Sequence, residues 1–104
     1  MKIQLNTDNN ITASDELRAS YTTLISEELN RFDEHITRLE VHLSDEDSHK
    51  DGIDDKRCMI EARLRGKQPI AVSDQADTLE QAIAGAVDKL KSSLDTKIGR
   101  SRNY

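Results

Sequence analysis

The chain has 104 residues, 34% charged and 35% hydrophobic, and 15 Lys and Arg against 20 Asp and Glu give a formal net charge of −5. That length fits one domain, able to bury about two-thirds of the surface its unfolded chain exposes. A single cysteine excludes an intrachain disulfide or a cysteine metal cluster, and no run approaches the ~18 apolar residues of a membrane span.

The opening MKIQLN alternates, with Met1, Ile3 and Leu5 on one face, which predicts a half-buried strand and no secretory leader. A cytoplasmic protein without membrane attachment is therefore expected. TDNN marks a turn, and Thr12 or Ser14 can cap a helix whose first turn holds Asp15 and Glu16. Leu17, Tyr21, Leu24, Ile25, Leu29 and Phe32 form one apolar stripe, predicting a helix over 14–34.

Residues 36–43 alternate again. Leu39, Val41 and Leu43 fall on one face with Thr37, and Ile36, Arg38, Glu40 and His42 on the other. After an acidic stretch, KRCMIEARLR alternates with Cys58, Ile60, Ala62 and Leu64 inward. Gly66-Lys67 turns the chain into a short strand, QPIAVS, which Pro69, with no N–H for a ladder, marks as an edge strand or as one that begins there. Asp77 is the expected cap of a second helix. Leu79, Ala82, Ile83, Ala86, Val87, Leu90, Leu94 and Ile98 give that helix the cleanest stripe in the chain, over about 78–98.

Each predicted helix has one apolar stripe and each strand one apolar face. The economical packing is an α+β domain in two layers, β-α-β-β-β-α, with both helices on one face of a four-stranded sheet. Residues 1–98 form this single domain and 99–104 a short tail.

The chain is acidic mainly in one place. Asp45, Glu46, Asp47, Asp51, Asp54 and Asp55 against Lys50 and Lys56 carry four of the five excess charges. Asp47, His49, Asp51 and Gly52 faintly echo a calcium loop, but the closing glutamate is replaced by Cys58. A solvated, metal-free hairpin tip over 45–55 is expected. Cys58 lies on an apolar face, and His35, His42 and His49 fall in different settings. Nothing in the pattern supports catalysis or a cofactor.

The basic residues are segregated. The open sheet face would show Lys2, Arg38, Arg57, Arg63 and Arg65 against Glu40 and Glu61. The end of the second helix and the tail add Lys89, Lys91, Lys97, Arg100 and Arg102 against Asp95. By contrast the first helix carries Asp15, Glu16, Glu27, Glu28, Asp33 and Glu34 against Arg18 and Arg31. Such a footprint suits phosphate, and a sheet face without aromatics would hold RNA by backbone contact rather than base stacking.

The closing segment IAVSDQADTLEQAIAGAVDKLKSSLDTKIGR, with Asp77, Ala82, Ile83, Asp88, Lys89 and Leu90 in its helix, resembles the bacterial hibernation-promoting factor and ribosome-associated translation inhibitor family. The opening MKIQLNTDNNITASDELRASY is similar too, and the likeness covers residues 1–98. It implies a domain that docks on the small ribosomal subunit, contacts 16S rRNA through basic residues, and blocks or protects idle ribosomes without catalysis. Lys89 carries over from the motif, and Lys91 and Lys97 match the basic character of the next turns. Arg38, Arg57, Arg63 and Arg65 join from the strand pattern, and Arg100 and Arg102 from the tail. No small-molecule substrate is implied. The rival reading is a protein-interaction module on the same fold, meeting a basic partner through the 45–55 hairpin and the acidic first helix. A monomer is expected, or a weak dimer through an exposed edge strand.

Overall fold

The structure, a computed structural model, describes residues 1–9, 11–45 and 56–99. In chain order it contains β1 (Lys2–Thr7), α1 (Asp15–Glu28), a 3-10 turn (Asn30–Phe32), β2 (Ile36–Asp45), β3 (Lys56–Leu64), β4 (Ile70–Ala76), α2 (Leu79–Leu94) and a π-helical turn (Asp95–Gly99). The strands form one sheet in the order β1-β2-β3-β4. β1 runs parallel to β2, a pairing that needs the crossover α1 supplies. The other two pairings are antiparallel.

Both helices cover the same sheet face, as the paired stripes predict. Leu39, Val41, Leu43, Cys58, Ile60, Ala62 and Leu64 share one core with Tyr21 and Ile25 of α1, Leu29 just after it, and Ile83, Val87, Leu90 and Leu94 of α2. The helices run side by side and are bonded along their length. The Tyr21 hydroxyl donates to Glu80 Oε2 at 2.8 Å, Lys91 Nζ to Glu28 Oε1 at 2.7 Å, and Arg31 to both oxygens of Asp95 at 2.9 and 3.1 Å. Arg18, on α1, turns inward instead and donates to the Leu5 carbonyl and the Thr7 hydroxyl of β1.

Three expectations change. The predicted helix over 14–34 ends at Glu28, and a tighter 3-10 turn then carries Phe32 into the core with the Arg31 guanidinium 4.1 Å above its ring. Ile36 is buried and Thr37 exposed, the reverse of strict alternation, because the β2–β3 register shifts between Ile36 and Arg38. Thr37 uses its exposed hydroxyl to bond the Arg63 carbonyl at 3.1 Å. The second helix is capped by Thr78, whose hydroxyl accepts from the Gln81 amide, rather than by Asp77. Of the two candidate caps for the first helix, Ser14 is the one used. The expected hairpin tip lies outside the described residues from 46 onward.

Cys58 is fully buried opposite Asp74 in the ladder. Burial, helped by the Asp74 charge, pushes its thiol from 9.0 up to about 12. Tyr21, buried and bonded to Glu80, is likewise raised from 10.0 to about 12. The folded chain thus holds these two protons more tightly than the unfolded chain does. Their contribution to stability is complete below pH 9 and is lost as pH rises toward 12. In alkaline thermal melts the midpoint should fall across that window, and Cys58→Ala should fall less steeply. An equal decline in both proteins would show that Cys58 plays no part.

Candidate nucleic-acid interface

The margin formed by β4 and α2 is built by a short connection. Only Asp77 and Thr78 separate the strand from the helix, so α2 folds straight back over β3 and β4. The helix can lie close because of Gly85. A Cβ there would stand 1.8 Å from Asp74 Oδ2 and 2.6 Å from its Cγ, so the carboxylate occupies the space a side chain would fill. One turn further on, Lys89 Nζ reaches the same carboxylate at Oδ1, 3.1 Å away, and donates to the Ser73 carbonyl at 2.8 Å.

Arg57 comes to this margin from the open face of the sheet, opposite Gln75 in the ladder. Arg57, Ser73, Asp74, Gln75 and Lys89 together line an open cleft of about 400 Å³. Ser93 follows Lys89 four residues on along α2, near the same face, and Lys97 lies four residues beyond it in the π-helical turn. Ser92, Ser93, Thr96 and Lys97 line a second shallow hollow of about 310 Å³. Cations interleaved with hydroxyls and an amide are the donor set that backbone phosphates use.

The other predicted positions are dispersed. Lys91 is spent between the helices on Glu28. Arg38 lies on the open face, with Nε 3.1 Å from Glu40 and a further bond to the Gln4 side chain. Arg63 is on the same face, 3.6 Å from Glu61. The row Lys2, Arg38, Arg63 is therefore bordered by the acidic pair Glu40 and Glu61 in the next row. Arg65 follows the end of β3, where its Nε donates to the Glu34 carbonyl at 3.3 Å. Arg100 and Arg102 lie outside the described residues.

Of the nine, the structure thus brings Arg57 and Lys89 into one cleft and places Lys97 in a separate hollow. It adds Ser73, Gln75, Ser92, Ser93 and Thr96, which sequence reasoning passed over. The four-residue spacing of Lys89, Ser93 and Lys97 was a usable signal. The place of Ser73 and Gln75 beside them depends on how α2 folds over β4. The acidic first helix sits elsewhere: α1 rests against β1, at the opposite end of the strand order. Its exposed acids include Asp15, Glu16 and Glu27.

Cys58 has no solvent access and a raised thiol value, the setting of an inert residue. His42 stands 3.9 Å from Glu40 on the open face, and His35 is half-buried. Among the described residues no group of three His, Cys, Asp or Glu side chains could hold a metal ion. Nor is any helix among them long and apolar enough to cross a membrane.

Fold and margin together define a small α+β domain with a cationic, hydroxyl-bearing border. The Protein Y N-terminal domain of Thermus thermophilus is similar, with a TM-score of 0.66, 25% identity, and 92% of this chain and 98% of that one covered. A ribosomal subunit interface protein from Coxiella burnetii shares the fold with a TM-score of 0.64 at 17% identity, covering 95% and 99% of the two chains. No curated protein matches by sequence. Residues 5–102 match the family described as sigma 54 modulation protein / S30EA ribosomal protein, and the chain belongs to that family. It is a family of ribosome-associated modulation proteins and is not known as an enzyme family.

Proposed function

We propose that this protein binds the small ribosomal subunit through phosphates of its 16S rRNA, and that the bound domain blocks or protects idle ribosomes by occupying space. It acts in the cytoplasm, as a single domain over residues 1–98, without catalysis or cofactor. The observation that carries this reading is the border Arg57, Lys89, Ser93 and Lys97. It runs along the β4–α2 side of the molecule, with acidic α1 against the strand at the other end of the sheet. Presented by that border, the protein offers RNA its cations and holds the acids of α1 away from the phosphate field.

Family membership supports the ribosome as partner, and the border supports phosphate as the group recognised. Binding of this kind is driven by counterion release and weakens linearly in a log–log plot against salt. Co-sedimentation with purified small subunits should be clear at low salt and fall steeply as salt rises. Absence of the protein from the ribosome pellet at low salt, or retention indifferent to salt, would overturn the proposal.

A further inference from the structure

β4 is the last strand of the sheet, and no described strand pairs with its outer side. An edge of this kind is a template for another strand unless something blunts it. The side chains of β4 do little to repel one. Ala71 and Gln75 are exposed but uncharged, and the single charge, Asp74, is seated under α2 on Gly85. Protection comes from the helix instead. Lys89 Nζ, anchored by Asp74 Oδ1, holds the Ser73 carbonyl at 2.8 Å. Ser73 is the fourth of the seven residues of β4, its midpoint.

We propose that the β4 edge is a docking surface for the β4 edge of a second copy of this chain, and that Lys89 is the bolt that keeps it closed. With the ammonium in place the central carbonyl of the strand is taken and a charge stands on the edge. With it gone, two β4 strands pair antiparallel about a two-fold axis through Ser73. Ile70 then faces Ala76, Ala71 faces Gln75, and Val72 faces Asp74. No pairing in that register sets one charge directly opposite another, so the strand is complementary to itself. That self-complementarity is what a symmetric contact requires. Because residues alternate along a strand, the backbone groups of Ala71, Ser73 and Gln75 face the same side. Those three amides report the new ladder. The inference stands on the geometry of Lys89, Ser73 and Asp74 and does not depend on RNA binding.

Sedimentation equilibrium of the purified protein, without ribosomes, tests it. The unaltered chain should remain at its monomer mass of 11.7 kDa. Lys89→Met keeps the aliphatic stem and removes the ammonium, so it should show a dimer fraction that rises with concentration. Amide exchange at Ala71, Ser73 and Gln75 should slow in step with that fraction. Asp74→Asn releases the anchor while keeping the lysine, and should dimerise in the same way but more weakly. Monomers at every concentration in both folded variants would overturn the proposal. So would a dimer in which the three amides exchange unslowed, or a β4-paired dimer of the unaltered chain with Lys89 in place.

Discussion

Gly85→Ala should lower stability by about 1–2 kcal/mol, at a helical position where that exchange ordinarily stabilises by up to ~1 kcal/mol. The added methyl would sit 1.8 Å from Asp74 Oδ2 and 2.6 Å from Asp74 Cγ. The short Asp74 side chain is tied to a strand and can relieve that overlap only by leaving Lys89 or by pushing α2 outward. For a domain of this size the loss corresponds to roughly 5–15 °C in melting temperature. The ion pair itself adds little to that figure, because the Lys89 side chain is 55% exposed. The cost is one of space, and a double-mutant cycle isolates it. In an Asp74→Ala background the colliding oxygens are gone and only a 3.2 Å contact to the Asp74 Cβ remains. There Gly85→Ala should be neutral or stabilising. Thermal and urea melts of the four proteins decide the matter, and a gain in melting temperature for Gly85→Ala alone would refute this account.

The architecture could be read from the chain because most apolar positions keep one period per element. Leu79 to Leu94 holds one helical stripe along α2, which Ile98 extends into the π-helical turn, and Ile60, Ala62 and Leu64 hold a strand face. Pro69 marks where β4 begins, since the strand starts at the next residue, Ile70. The misreadings occur where the period breaks. Ile36 changes face at a register shift, and a shift of one residue has no local composition signature. Phe32 fits the helical stripe of α1 yet reaches the core through a 3-10 turn. Asp77 and Thr78 can both cap a helix, and only the hydrogen bond to Gln81 separates them.

For the site, part of the sorting was available in advance. Residues two apart on a strand share a face, so Arg38 beside Glu40 and Arg63 beside Glu61 were foreseeable as locally balanced charges. The Lys91–Glu28 bond was not, since it spans 63 positions and depends on how the two helices lie against each other. The same is true of Lys89 and Asp74, brought together by the close approach at Gly85.

Those bonds decide which substitutions can test ribosome binding. Reversing Lys89 or Lys91 would replace an ion pair with two neighbouring acids, against Asp74 or Glu28, and would mix damage to the fold with loss of a contact. Arg57→Gln with Lys97→Gln avoids that reversal of charge. The two residues stand at opposite ends of the proposed border, in different hollows, and neutral replacements introduce no repulsion. Affinity for small subunits should fall on the order of tenfold for each lost phosphate contact, about 1.4 kcal/mol. The log–log dependence on salt should flatten by roughly 0.7–0.9 for each. Arg38→Gln with Arg63→Gln removes the same amount of charge from the open sheet face, where Glu40 and Glu61 already balance it. That protein should keep its affinity within about twofold, because screened charges far from the contact contribute little. Circular dichroism and melting temperature establish that both double variants are folded. Equal losses in the two would mean that net charge alone governs association. A greater loss from the open-face pair would move the interface from the β4–α2 border to the sheet.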